Sequence, residues 1–400
     1  MRSEGPSAGY PPQEETDMGS DAVALSRCDE YRGEQVARSV ARVLDLVGGA
    51  DNFVRPGESV FVKVNAVIAA APDSGITTHP EVVRAVVSQL MKVTDRVIIG
   101  DSPGGPFNRT LLKRVYEKTG FAEVARQTGA ELAMDTGVVE VSVPDGAKVK
   151  RLTLCRSMVE ADRLVSVSKL KTNRFMNLTG PVKNMYGSVP GMNKFVYHSR
   201  FEDERDFADF IVDVYMAARP AFSIVDAVEV VHGEGARNGT VKKMNAIAAG
   251  RDAFALENLM VDLAGLEPSD DKVLAAAIRG GVCESGTGWF EVLGDDPDGL
   301  RVTDFQLPAR NFFSEHLPAT ITGRFSRFYT ATPRPVPGAC TGCGKCAEMC
   351  PRQAISVRDG LARVDRQKCI RCWCCDELCE QQAIGIRTPM LARMAGLHRG

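Results

Sequence analysis

The chain has 400 residues, of which 44% are hydrophobic and 25% charged, with a formal net charge of −2 at pH 7. That composition describes a folded protein of two or three domains, excludes a wholly disordered chain, and argues against bulk nucleic-acid binding. No run of eighteen apolar residues occurs, which excludes an apolar membrane-spanning helix.

The opening "MRSEGPSAGYPPQEETDMGSD" is polar, rich in Pro and Gly, and lacks an apolar signal core, so residues 1–25 are expected to be a disordered leader on a cytoplasmic protein. The three N-x-T sequons, at Asn108, Asn177 and Asn238, are then chance matches. Residues 26–324 read as an α/β substrate-binding domain. "SVFVKVN" (Ser59 to Asn65) is a β-branched strand, "PEVVRAVVSQLMKV" (Pro80 to Val93) has helical spacing with Pro at its start, and "RVIIGD" (Arg96 to Asp101) is a strand again. "DRLVSVSKLK", "FSIVDAVEVV" and "KMNAIAAG" continue as strands, separated by the helical "ERDFADFIVDVYMAA" and "FALENLMVDLAGLE". The pattern predicts an open, mostly parallel sheet with helices on both faces. "FSRFYTATPRPVPGA" (325–339) reads as a linker, 340–388 as a small α+β ferredoxin-like two-cluster domain, and 389–400 as a tail.

Nine of the twelve cysteines lie between Cys340 and Cys379; Cys28, Cys155 and Cys283 are scattered. "CTGCGKCAEMCPRQAISV" and "CIRCWCCDELCEQQAIGI" align without a gap, as two half-modules of spacing C-x2-C-x2-C-x3-C. Three close cysteines wrap one iron–sulfide cube while the fourth, beyond a turn, serves the other. The expected sets are Cys340, Cys343, Cys346 and Cys379 for one [4Fe–4S] cluster, and Cys369, Cys372, Cys375 and Cys350 for a second. The segment resembles bacterial-type two-cluster ferredoxins. Glu380 stands where a proline usually follows the fourth cysteine, and Cys374 is an extra thiol, expected to be a buried spectator unless it has a ligand-swap or redox role. Zinc or disulfides are the weaker readings, since zinc knuckles pair two C-x2-C units across a longer spacer and cytosolic thiols stay reduced.

Polar residues collect where the α/β strands end. These are Lys63 and Asn65, then Asp101 and Ser102 in "GDSPGG", then Lys169 and Lys171 on one side of an extended segment with Asn173 following. "LTGPVKNMYGSVPGMNKFVYH" adds Thr179, Lys183, Asn184, Tyr186, Lys194 and His198. Lysine charge with backbone N–H donors suits an anion. Neither "GDSPGG" nor "GEGARNG" (Gly233 to Gly239) has the spacing of a P-loop or dinucleotide fingerprint. Among the histidines, His198 is the best proton-donor candidate, His232 beside Glu234 could substitute, His79 precedes a helix, and His316 and His398 look like surface residues.

"VKVN", "GDSPGG", "KLKT" and "TGPVKNMYGSVPG…K…H", in that order and followed by the cluster module, resemble the domain of unknown function 362 family. The resemblance carries the family motif onto Lys63, Asn65, Asp101, Lys169, Lys171, Thr179, Lys183, Asn184, Gly187 and Lys194, and it implies no agreed activity. Two departures stand out: Asn173 where the family pattern reads histidine, and Glu257 where aspartate is more usual.

The resulting expectation is an oxidoreductase passing low-potential electrons from two [4Fe–4S] clusters to an anionic small molecule or carrier-bound acyl substrate. Lys63, Asn65, Asp101, Ser102, Lys169, Lys171, Asn173, Thr179, Asn184 and Lys194 would form the binding set. Lys183, Tyr186 and His198 are the candidate catalytic groups, with Tyr186 or His198 giving the proton. A ferredoxin, flavodoxin or reductase would be the electron partner, with no nucleic acid and no membrane insertion. The alternatives are a non-catalytic electron carrier docking a partner enzyme, and a non-redox transferase or ligase with structural clusters.

Overall fold

The computed structural model describes residues 22–308 and 331–387; the leader up to residue 21, residues 309–330, His316, residues 388–400 and His398 lie outside them. A nine-stranded mixed sheet organises the larger part, in the order β11-β1-β10-β9-β7-β2-β3-β4, with β8 pairing β7. Its strands are β1 (Ala22–Arg27), β2 (Val60–Lys63), β3 (Val97–Gly100), β4 (Glu131–Leu132), β7 (Arg163–Asn173), β8 (Asn177–Thr179), β9 (Phe222–His232), β10 (Thr240–Gly250) and β11 (Glu291–Gly294). Between β4 and β7, β5 (Val138–Ser142) and β6 (Arg151–Cys155) make a separate antiparallel hairpin.

The parallel expectation holds for β7, β2, β3 and β4, and for β9 beside β7. β10, however, runs antiparallel to both β9 and β1. The seven-residue loop 233–239 folds β10 straight back on β9, a pairing that local periodicity does not encode. β1 begins at Ala22, inside the stretch expected to be leader, and four of its six residues are buried.

β2 reads Val-Phe-Val-Lys and is buried throughout, which a strand covered on both faces requires. Val60 and Val62 pack to one side with Val165 and Val167, under α1 (Gly33–Leu46), α2 (Pro80–Leu90), α3 (Arg109–Lys118) and α4 (Phe121–Thr128). Phe61 and Leu164 face the other side, where Phe207, Phe210 and Ile211 of a later helix cover them. α5 (Arg156–Val159), α6 (Pro181–Asn184), α7 (Asn193–Arg200), α8 (Glu204–Ala218), α9 (Ala253–Leu263) and α10 (Lys272–Arg279) complete the domain. α2 starts on Pro80, where a missing N–H costs nothing, with the His79 ring accepting from the Glu81 amide as its cap. Among the described residues no helix is long and apolar enough to cross a membrane.

The C-terminal part begins earlier than the cysteine pattern suggests. The proline-rich stretch expected to be linker supplies β12 (Thr332–Pro335), which pairs antiparallel with β15 (Ile384–Arg387). Between them lie α11 (Lys345–Glu348), the hairpin β13 (Ile355–Arg358) and β14 (Leu361–Val364), and α12 (Cys374–Glu377). The two half-modules share a backbone as well as a spacing. Gly342 and Arg371, Gly344 and Trp373, and Gln353 and Gln382 all adopt left-handed conformations at matched positions.

Candidate functional site

β2, β3 and β7 run parallel, so their carboxyl ends open on one side of the sheet, where ligands of open α/β folds bind. Lys63 is the last residue of β2, Asp101 follows β3, and Lys171 and Asn173 close β7. The polar turn carrying α6 lies across these ends. Together they line a pocket that takes in Asn65, Ser102, Thr179, Lys183, Asn184, Tyr186, Gly187, Lys194 and His198, with Val67, Ile76, Phe195 and Leu378 as apolar wall.

The pocket floor is one hydrogen-bonded chain. Lys171 donates to Asn65 Oδ1 at 2.8 Å and to the Ile76 carbonyl. Asn65 Nδ2 donates to Asn184 Oδ1 at 3.1 Å, and Lys63 donates to the same oxygen at 3.2 Å. Lys63 then pairs with Asp101 at 2.9 Å, and Asp101 also accepts from the Ala66 and Ser102 amides at 2.6 and 2.8 Å. Gly187 belongs here for lack of space: a Cβ on it would come within 2.3 Å of Lys63 Cε and Asp101 Oδ1.

The lysines differ in how their charge is met. Burial lowers the Lys63 ammonium, and Asp101 opposes the shift. Lys194 donates to Ser102 O and Oγ at 2.8 and 3.1 Å and to the Val189 carbonyl, and burial brings it down to about 8. Lys171 is lowered to about 7 by burial. Lys183, half-buried, reaches Thr179 Oγ1 at 3.4 Å and no other hydrogen-bond partner among the described residues. Among the described residues, no carboxylate forms an ion pair with Lys171, Lys183 or Lys194, whereas Lys63 has Asp101. An incoming anion therefore meets Lys171 and Lys183 as the least compensated lysines of the pocket.

Three sequence expectations need correction. Lys169 shares a strand face with Lys171, but a register shift separates them: Lys169 pairs across with Asp226 and Lys171 with Val231. Its ammonium is spent on Asp226 at 3.0 Å and Tyr31 at 2.5 Å, away from the pocket lining. His198 lines the pocket, stacked on Phe207 at 4.2 Å, yet burial and then the Lys183 charge lower it to about 3. Burial thus favours the neutral ring over the imidazolium, and its Nδ1 is buried with no hydrogen-bond partner among the described residues. Tyr186 contributes its ring, while its hydroxyl donates to the Lys194 carbonyl at 2.7 Å and its proton is committed there. Of the alternative histidines, His232 accepts from the Gln306 amide at 3.1 Å, Glu234 pairs with Arg174 at 2.7 Å, and His79 caps α2 while stacking on Tyr31. Glu257 sits beneath α6, accepting from the Val182 amide at 2.9 Å; burial and then Asp271 push its carboxyl well above the usual range.

The remaining wall comes from the cysteine module, which strand-end reasoning in the larger domain could not supply. Cys374, Glu377 and Leu378 line the pocket together with Arg237. Asn173 donates to Glu377, and its own Oδ1 accepts from the Phe175 and Met176 amides at 3.1 and 2.8 Å. Arg237 donates to the Cys379 carbonyl, and Asn238 donates to Asp376 at 2.7 Å. Gly104 permits the approach, since a Cβ there would fall 2.4 Å from Leu378 Cδ2. Arg237 lies in "GEGARNG", a loop legible in sequence only as a failed nucleotide fingerprint.

The donor set fits an iron–sulfur cluster. Cys340, Cys343, Cys346 and Cys379 line one cavity. Burial raises Cys346 to about 11, with Cys379, Cys340 and Cys343 as its next perturbers; Cys369 is raised by burial, with Cys372 and Cys350 nearby. The Cys350 and Cys379 sulfurs each accept a backbone N–H, from Ala354 at 3.2 Å and Ala383 at 3.3 Å. Among the described residues no three side chains converge tightly enough for a single metal ion. A cube of four irons holds its thiolates farther apart than one ion does. The ninth thiol, Cys374, lies against Cys372, with a long contact from its sulfur to the Cys372 carbonyl at 3.9 Å and a thiol–thiol hydrogen bond between the two side chains.

Comparison with known proteins agrees with these two parts. The chain is 28% identical over 314 residues to the thylakoid-associated protein sll1697 of Synechocystis sp., covering 77% of this chain and 94% of that one. A solved structure, the lactate racemase apoprotein from Thermoanaerobacterium thermosaccharolyticum, aligns with a TM-score of 0.40 and 16% identity over 63% of this chain and 60% of that chain. Residues 333–356 match a 4Fe-4S binding domain, which supports at least one [4Fe–4S] cluster. Residues 60–262 match the Domain of unknown function (DUF362), and the chain belongs to that family.

Proposed function

We propose that the protein is an iron–sulfur oxidoreductase that delivers single electrons to an anionic small molecule or carrier-bound acyl group held in the lysine pocket. The observation that carries this reading is the shared wall. Cys374, flanked by the expected ligands Cys372 and Cys375, lines the same pocket as Lys171 and Lys183. Of the protein between that expected cluster site and the bound anion, Cys374 itself forms the pocket wall.

Two clusters, one per half-module, accord with the grouping of the eight thiols; when bound, they supply electrons one at a time at low potential. The protein's own groups do the rest. Lys171 and Lys183 hold a carboxylate or phosphate, and the Lys63–Asp101 pair with Asn65 and Asn184 fixes the floor on which they stand. Val67, Ile76, Phe195 and Leu378 exclude water from the ligand body, so the favoured substrate joins one anionic group to an apolar, unsaturated frame. His198 offers a neutral ring nitrogen for orienting that frame.

The test is cluster reoxidation. Anaerobically reduced protein is mixed with a panel of α,β-unsaturated carboxylates and acyl thioesters, and the visible and paramagnetic signals are followed. The expected result is reoxidation that depends on a particular acid and is lost in a Lys171→Ala, Lys183→Ala variant with its iron intact. Reoxidation at the same rate with and without every acid would overturn the reading.

A further inference from the structure

The cysteine module meets the larger domain mostly through acidic side chains, with Arg352 on Glu202 at 2.8 Å as the basic exception. Its second half-module carries three acidic residues after the ligand Cys375, and all three are turned toward the larger domain. Asp376 pairs with Arg174 at 3.1 Å, Glu377 accepts from Asn173, and Glu380 pairs with Arg114. The fourteen residues from Arg358 to Arg371 have the opposite character. They hold five basic residues, Arg358, Arg363, Arg366, Lys368 and Arg371, against Asp359 and Asp365. Arg358, Arg363 and Lys368 are exposed, and Arg358 and Arg363 share one face of the β13–β14 hairpin.

This basic stretch lies beside the cysteines as well. It runs directly into Cys369 and Cys372, and the β13–β14 turn packs on the first half-module, where a Cβ on Gly342 would lie 2.5 Å from the Gly360 carbonyl. Next to Gly342 stands Cys343, an exposed thiol among the eight expected ligands. One part of the module thus reaches solvent next to the basic stretch, and another closes the anion pocket.

We propose that the Arg358–Arg371 face is the docking surface for an acidic one-electron carrier protein, which loads the module from outside. The inference rests on the electron-delivery reading of the pocket and adds the entry side to it. Positive rims speed and orient the encounter with an acidic partner. In the transfer, one electron leaves the reduced carrier, which is oxidised, and one [4Fe–4S]2+ centre becomes [4Fe–4S]+; no proton or atom moves. A carrier protein suits this face better than a lipid surface, because the basic residues lie in the stretch that runs directly into the cysteines Cys369 and Cys372.

The experiment titrates the oxidised, cluster-loaded protein with an acidic [2Fe–2S] ferredoxin as probe, by calorimetry, at low and at high ionic strength. Binding is expected to weaken at least about tenfold at high ionic strength. An Arg363→Glu, Lys368→Glu variant should lose about tenfold at low salt while keeping its iron content and visible spectrum. Stopped-flow mixing with the reduced probe should show the same loss in the rate of cluster reduction, whereas reduction by dithionite stays at the wild-type rate. Affinity that ignores both salt and the charge reversal overturns the proposal. So does binding of phosphatidylglycerol vesicles through these residues with none of the ferredoxin. Lys171→Ala and Lys183→Ala variants should bind the probe as wild type does, so failure at the pocket and failure at this face are read separately.

Discussion

The guanidinium of Arg174 lies 4.7 Å from the ring centroid of Trp373, and its Nε donates to Asp376 at 3.1 Å. Both partners of that ion pair are buried, so removing one strands the other's charge. Arg174→Ala is expected to cost roughly 3–5 kcal/mol of the docking between the end of β7 and the cysteine module. Trp373 is one of only two tryptophans, so its fluorescence should shift to the red, and β12 and β15 should exchange amide protons faster. Unchanged exchange in β12 and β15 would show that the module is held elsewhere.

Lys63 and Asp101 are both nearly inaccessible, and three donors converge on the carboxylate. Asp101→Asn should leave the Lys63 ammonium buried without its counter-charge and lower stability by about 3–5 kcal/mol. A double Lys63→Met, Asp101→Asn variant should recover part of that loss. Urea denaturation of the single and double variants measures both.

Lys171 carries a pH prediction. Burial is the leading cause of its fall to about 7, with Glu377 and Asp101 opposing and Lys183 and Lys169 adding to the fall. An anion prefers the ammonium form, so binding should take up a proton near neutral pH and weaken, by up to about tenfold per unit, as pH rises past 7. The folded value lies below the roughly 10.4 of an unfolded lysine, so the unfolded chain binds more protons in between. Stability should therefore rise with pH across that window. Calorimetry in two buffers of different ionisation heat tests the proton uptake, and Lys171→Met should abolish it.

Cys374→Ala separates the ninth thiol from the eight. Reconstituted protein should keep about eight irons per chain, whereas Cys375→Ala should fall to about four. Iron and acid-labile sulfide analysis decides between them. Loss of iron from the Cys374 variant would mean that this thiol is a ligand after all.

The elements that sequence made legible are those whose local pattern is their cause. β2 is a β-branched run because both its faces are covered, and α2 starts where Pro80 and His79 make a start. Strand direction was not legible: β10 has the composition of its neighbours but folds back through a short loop. The pocket's lysines were readable as a group, yet their division of labour was not. Lys169 and Lys171 share a face, and only the five-residue jump in partner, from Asp226 to Val231, sends their ammonium groups to different places. The wall formed by Cys374, Glu377 and Leu378 joins residues about two hundred positions from β7, and no periodicity reports a contact of that range.

The left-handed positions of the two half-modules are filled differently. Gly342 and Gly344 in the first adopt a conformation that glycine takes freely; Arg371 and Trp373 hold it in the second at a cost of roughly 1–2 kcal/mol each. The larger side chain at 373 is the one under Arg174, and the neighbouring position exchanges Lys345 for Cys374. The two halves share spacing and backbone, and they differ where the second touches the larger domain. The half that bears the awkward residues is the half that lines the pocket of the larger domain, so in this tandem module the break in its own symmetry marks the inward side.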